Sequence, residues 1–346
     1  MARISLRKTV HLKLFSLLHR TGASACLLFA LIQHVTGAEP LAPEDTKTHW
    51  VSQFFDTFTA ATDALQWSDV RVVSNWRIQQ HAQSKTYRLL DLSDHTVIEG
   101  SLRDCSTELC SNIEKGSVAP VKKEVVVVLH GLGESRGAMQ PLVSFLEDNM
   151  TASILTFGYA SPQAPLASHA HSLGRVLAGL PPTTNINFVG HSMGNLVVRR
   201  WLQDAQPEII HRINRMVMLG PPNQGSDLAQ LAASNPFLRN LASGAARELV
   251  LHWDRLSREL QTPPFQFGII AGGKNDNEGY SPLLKGDDDA IVRVSETQLD
   301  GSGGFLVIPV RHSRMMYNKD VQEETLRFLL KGRFTQQSFP TSPPEK

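Results

Sequence analysis

The chain has almost no excess of charge of either sign: 34 Lys and Arg stand against 33 Asp and Glu, a net charge of +1. Without a basic surplus it lacks the electrostatic footprint of a nucleic-acid binder. It has no internal repeat and no long low-complexity tract, so a stacked-repeat architecture is excluded. A membrane-length apolar run is missing too. The longest candidate, Ala23 to Val35, is interrupted by Gln33 and His34, whereas a spanning helix needs about 20 apolar residues. Cysteine is scarce, with three in 346 residues. Acid is absent altogether from residues 1–38, which carry Arg3, Arg7, Lys8, Lys13 and Arg20. With that segment set aside, the remainder has 29 basic against 33 acidic residues, a net charge of −4.

A basic start, a short apolar run and the small residues Thr36-Gly37-Ala38 read together as a secretory signal peptide over 1–38. The expected location is secreted or periplasmic. An uncleaved signal that anchors the chain to a membrane is one alternative, and an acid-poor organelle presequence is another. Cys26 lies inside this segment, and Leu27-Leu28-Phe29-Ala30 continue the apolar run past it, which argues against lipid attachment there. Cys105 and Cys110 remain, an even number in an exported chain and a candidate local disulfide. Two free loop thiols are the alternative.

Residues 39–50 read as a polar, Pro-rich linker. From Trp50 to Trp67 apolar residues recur every three or four positions, as in an amphipathic helix. Trp76–Gln80, Tyr87–Leu90 and Thr96–Glu99 read as strands, the last two joined by the turn Ser93-Asp94-His95. They are expected to be antiparallel and to extend the main sheet. Glu124–Leu129 is a continuous β-branched run, the mark of a strand buried on both faces. Strands at 152–159, 215–219, 265–271 and 305–310 alternate with helical patterns at 139–147, 169–180 and 320–330, and Gly332 closes the last. Such alternation predicts an α/β fold with a mostly parallel sheet covered on both faces. The segment between Gly225 and Pro263 carries Leu228, Leu231, Leu249, Val250 and Trp253 at helical spacing. It is expected to form a helical cap, over about 226–263, that shelters an apolar site, either as a moving lid or as fixed core helices.

The chemistry centres on Asn185–Asn195. The apolar residues Ile186, Phe188 and Val189 run into Gly190-His191-Ser192-Met193-Gly194, and Leu196, Val197, Val198, Trp201 and Leu202 follow at helical spacing. Strand, G-x-S-x-G, helix is the context of a nucleophile elbow, with Ser192 presented at the end of the sheet. A serine hydroxyl needs a base, the base an orienting acid, and the oxyanion needs donors. His130-Gly131-Leu132-Gly133, directly after the Val-rich strand, supplies an oxyanion turn, with the N–H groups of Leu132 and Met193 as donors. Among thirteen histidines His312 is singled out because it lies between the last strand and the last helix. The acid is ambiguous among Asp276, Glu278, Asp287, Asp288 and Asp289. Asp289 is preferred because Ala290-Ile291-Val292 would anchor it inward; Asp288 and then Asp276 are the alternatives. The same acidic run could instead supply oxygen ligands to a calcium ion.

In the order Ser192, Asp289, His312 these motifs resemble the α/β-hydrolases of the bacterial lipase and esterase type. The resemblance covers about residues 122–332 and includes Pro222-Asn223-Gln224-Gly225-Ser226 and Asp289-Ala290-Ile291-Val292. It departs at Ala290, where that family usually has glycine. It implies the α/β-hydrolase fold, hydrolysis of carboxylic esters, often acylglycerols, and no cofactor. The expected organisation is a signal peptide at 1–38 and an N-terminal helix and hairpin at 39–120. An α/β-hydrolase domain at 121–335 and a disordered tail at 336–346 follow. The expected partner is a small-molecule or lipid ester, with transient contact to a lipid surface and none to nucleic acid. An acyltransferase on the same triad and a secreted binding module without catalysis are the competing functions.

Overall fold

The computed structural model describes the backbone of residues 63–234 and 243–335. The expected signal peptide, the tail and most of the helix expected at 50–67 lie outside the described residues. Two sheets are present among the described residues. Strands β1 (Trp67–Val73), β2 (Trp76–His81), β3 (Tyr87–Leu90) and β4 (Thr96–Gly100) form an antiparallel sheet in that order. Strands β5 (Glu124–Leu129), β6 (Ser153–Phe157), β7 (Asn185–His191), β8 (Ile213–Leu219), β9 (Gln266–Gly273) and β10 (Phe305–Pro309) form a second sheet, order β10-β9-β8-β7-β5-β6. Every pair in it is parallel.

The Val-rich strand shows why this sheet has two covered faces. Val125, Val127 and Leu129 join one apolar cluster, packed against helices α3 (Leu166–Ala178) and α4 (Met193–Leu202). Val126 and Val128 join another, packed against α2 (Gln140–Asn149) and α8 (Lys319–Lys331). Successive side chains of a strand point to opposite faces, so a run with no polar alternation must be sandwiched. Fully burying one such side chain stabilises by about 1.5–3 kcal/mol. Helix α8 ends where expected: Gly332 takes φ 68° and its N–H bonds to Phe328 O at 2.8 Å.

The strand order also locates the site. From β5 the chain moves outward to β6, then returns across β5 to β7 and continues the other way. Loops leaving β5 and β7 therefore diverge at their carboxyl ends and open a crevice there, a topological switch point.

The antiparallel strands form as expected but do not extend the parallel sheet. They have their own apolar core of Val70, Trp76, Ile78, Leu89, Cys105, Leu109 and Val118. The tie to the larger sheet is both polar and apolar: Asp69 N–H donates to Gly158 O at 2.8 Å, just past β6, and Val72 of β1 joins the apolar cluster of the parallel sheet. Helix α1 (Leu102–Glu114) packs on β3 and β4 and starts at a capping box, Ser101 with Asp104. It corrects the disulfide expectation. Cys105 and Cys110 are five residues apart on one helix, about 140° around its axis. Cys105 is buried, Cys110 is exposed and both are free thiols.

Candidate active site

Strand β7 ends at His191 and α4 begins at Met193, leaving Ser192 alone to turn the chain. Its backbone sits at φ 51°, ψ −123°, in the left-handed half of conformational space that a non-glycine residue enters only under strain. Its neighbours explain the two glycines. A Cβ on Gly190 would lie 2.3 Å from Asn195 Oδ1, and one on Gly194 would lie 2.7 Å from His130 O and 2.8 Å from Leu129 O. The elbow is thus jammed against the turn that follows β5.

In that turn the backbone donors are accounted for one by one. Gly131 N–H donates to Glu134 Oε2 at 2.7 Å, Gly133 N–H to Ser161 Oγ at 3.0 Å and Glu134 N–H to Gly131 O at 3.4 Å. The Leu132 N–H has no partner among the described residues, and Met193 N–H is the first orphan donor of α4. His130 braces the turn from behind. Its Nδ1 faces Gly131 O at 2.8 Å, its Nε2 accepts from Tyr159 N–H at 3.4 Å, and Tyr159 Oη donates to its carbonyl at 2.5 Å. Burial pushes this imidazole down to about 4.

The structure brings Asp289 and His312 together. His312 Nδ1 lies 2.6 Å from Asp289 Oδ2, and His312 N–H donates to Asp289 O at 2.8 Å. Asp289 Oδ1 accepts from the N–H groups of Ile291 (3.0 Å) and Val292 (2.8 Å), so Ile291 and Val292 hold the carboxylate through their backbone. His312 Nε2 is buried and has no partner among the described residues. Ser192 and this pair share a border at the end of β8. Ser192 N–H donates to Leu219 O at 2.9 Å. A Cβ on the next residue, Gly220, would lie 3.0 Å from His312 Nδ1 and 3.1 Å from Asp289 Oδ2. Ala290, where the resemblance departs, has φ 86°: the loop takes the conformation glycine favours, with an alanine in it.

The other acids turn elsewhere. Asp276 Oδ1 accepts from Glu278 and Gly279 N–H, and Asp287 accepts from Lys274 and Asn275 N–H. Asp288 Oδ1 accepts from Tyr280, Ser281 and Ala290 N–H. Its Oδ2 is buried without a partner among the described residues, and burial pushes its carboxyl up to about 6. These carboxylates shape the loop, and among the described residues no cluster of three or more His, Cys, Asp or Glu is arranged to hold a metal ion.

One arrangement is absent from the reading of the sequence. Glu134 Oε2, which holds Gly131 N–H, also lies 3.0 Å from His191 Nδ1. The only signal for it is an acid three residues after Gly131.

Above Ser192 lies an apolar cavity of about 80 Å³. Helices α5 (Asp227–Ser234), α6 (Gly244–Leu251) and α7 (Trp253–Arg258) wall it with Leu228, Ala246, Leu249, Val250 and Trp253. Helix α6 is bonded to the body of the fold: Ala245 N–H donates to Ala164 O at 2.9 Å, and Glu248 Oε2 accepts Leu166 N–H at 2.7 Å.

The family model described as alpha/beta hydrolase fold matches residues 124–256. Among solved structures, the propeptide form of Bacillus licheniformis lipase BlEst2 aligns at 18% identity and a TM-score of 0.53, over 64% of this chain and 52% of that one. This chain therefore spans about half the length of that lipase form. Phospholipase PlaB from Legionella pneumophila aligns at 17% identity and a TM-score of 0.46, over 61% of this chain and 57% of that one. No curated protein matches. At 18% identity the likeness to the BlEst2 propeptide form is one of fold.

Proposed function

We propose that this chain, whose residues 124–256 match the family model of the alpha/beta hydrolase fold, is a serine hydrolase of carboxylic esters, working through Ser192, His312 and Asp289. The observation that carries this reading is the buried Asp289–His312 pair at 2.6 Å, with the far ring nitrogen of His312 unpartnered, beside a serine on a strained strand-to-helix turn. Asp289 holds the Nδ1–H tautomer, which leaves Nε2 as the base. Ser192 Oγ attacks the ester carbonyl while His312 Nε2 takes its proton. The Leu132 and Met193 N–H groups receive the oxyanion, each such donor being worth about 2.7–4 kcal/mol of barrier. His312 then protonates the leaving alcohol, and water repeats the sequence to release the acid. The apolar cavity between Ser192 and the cap helices favours an acyl chain on the acid side.

Hydrolysis of p-nitrophenyl esters from acetate to palmitate by the wild type and by Ser192→Ala tests this reading. The serine variant should lose turnover by a factor on the order of 10⁶ and fail to react with a fluorophosphonate probe. Undiminished turnover in Ser192→Ala would overturn it.

A further inference from the structure

Two buried histidines flank the reaction centre, and their hydrogen-bond partners differ in kind. His130 meets one acceptor, Gly131 O, and one donor, Tyr159 N–H. A neutral imidazole with its proton on Nδ1 satisfies both. His191 meets two acceptors. Its Nδ1 lies 3.0 Å from Glu134 Oε2, and its Nε2 lies 3.2 Å from the carbonyl oxygen of His312. Neither acceptor has a proton to give while Glu134 is ionised. A neutral ring would turn a bare lone pair toward an oxygen, in a place without solvent. Only a ring protonated on both nitrogens, a cation, satisfies both contacts.

We propose that Glu134 and the buried His191 form a carboxylate–imidazolium pair that positions the reaction centre, binding the oxyanion turn to the nucleophile elbow and to the main chain of His312. The proposal rests on the roles given above to Ser192, Leu132 and His312. Glu134 reaches the turn through Gly131 N–H, one residue before the free Leu132 N–H. His191 immediately precedes Ser192, and its ring lies 4.6 Å from that of His312. Three separate loops, after β5, β7 and β10, are thereby held by one pair of charges. Both are positioning residues.

The surroundings favour the charged state. Facing His191 are Glu134 from the turn after β5, His130 at the end of β5, Asp289 from the loop after β9 and His312 after β10. Burial alone would lower the His191 imidazole, but the charge and hydrogen bond of Glu134, the charge of Asp289 and the carbonyl of His312 outweigh it and raise it. Burial alone would likewise raise the Glu134 carboxyl, yet the charge and hydrogen bond of His191 and the Gly131 N–H hold it at about 2.

The test is nitrogen-15 NMR of the histidine rings in the full chain, with the His191 signals identified by their loss in His191→Gln. At about pH 7 both His191 ring nitrogens should be protonated, while His130 shows one protonated and one bare nitrogen. In Glu134→Gln the His191 ring should become neutral. On a p-nitrophenyl ester that variant should lose kcat by about 10²-fold, keep KM near the wild-type value and move the alkaline limb of its pH profile to lower pH. A wild-type His191 with one bare nitrogen overturns the proposal even if the variant fails to fold, and so does an unchanged kcat in Glu134→Gln. A neutral His191 in an active enzyme removes the pair and leaves the hydrolase reading. A doubly protonated His191 in a chain whose Ser192→Ala variant keeps full turnover removes the hydrolase reading, and with it the positioning role.

Discussion

The antiparallel sheet and the rim of the parallel sheet each set a carboxylate beside a buried cation, and the two pairs are built differently. In the antiparallel sheet Asp69 and Arg77 meet at 2.7 Å. The carboxylate also accepts from Gln79 at 2.9 Å and from Gly158 N–H at 2.7 Å, and the guanidinium donates to Thr156 O and Oγ1. Burial lowers the guanidinium from its ordinary value, but arginine keeps its proton across the accessible range. Asp69 and Arg77 therefore act as a clamp between the two sheets whose cation is fixed. Glu134 and His191 use a cation that can release its proton. A fixed charge suits a joint that must never open, whereas a titratable one makes the geometry of a site depend on pH.

The sharpest way to separate the acids of the rim is Asp289→Asn, which should lower kcat on the order of 10⁴-fold with the fold intact, measured as ester turnover. Next in size, Asp69→Asn should destabilise the protein by about 3 kcal/mol, since it removes the close charged partner of a buried guanidinium and leaves Arg77 only the more distant Asp94, at 3.9 Å. Urea unfolding should give nearly the same loss on both sides of neutrality, because the Arg77 guanidinium keeps its proton there.

Glu134→Gln should behave otherwise. A lowered carboxyl stabilises the fold fully only above its ordinary 4.5, and that contribution fades as pH falls toward 2. A raised imidazolium stabilises it fully only below its ordinary 6.5, and that contribution fades as pH rises through the raised value. The stability lost in the variant should therefore be greatest between 4.5 and 6.5, and a flat pH dependence of that loss would erase the contrast with Asp69–Arg77. Ala290→Gly should stabilise by about 1 kcal/mol, because φ 86° costs a β-carbon strain that glycine lacks. Denaturant midpoints would read it. The smallest effect is expected from Asp288→Asn. Ester turnover should be unchanged, while the stability that wild type loses as pH rises from 3.8 through about 6 should be retained.

Legibility followed burial. Glu124–Leu129 could be bounded from its residues alone because both faces are buried and the run is unbroken. Strand β1, half-buried and following a helix-like pattern, could not. Helix α1 buries only Cys105 and Leu109, so its apolar signal is faint and its clearest mark is the S-x-x-D of Ser101 and Asp104. The disulfide expectation failed for the same reason, since counting cysteines says nothing about the helix that separates them.

The sequence by itself determined the elbow around Ser192, the glycine turn after β5 and the order in which the motifs arrive. These are local: a residue without Cβ is needed wherever one backbone presses on another, and an unbroken β-branched run must be covered on both sides. Only the tertiary structure decided which of the adjacent acids faces His312, that Glu134 meets His191, and that Asp69 and Arg77 join the two sheets. A carboxylate at 288 and one at 289 are chemically alike. What separates them is the direction each is turned by the loop and what stands opposite, and those partners are brought there by strands distant in the chain.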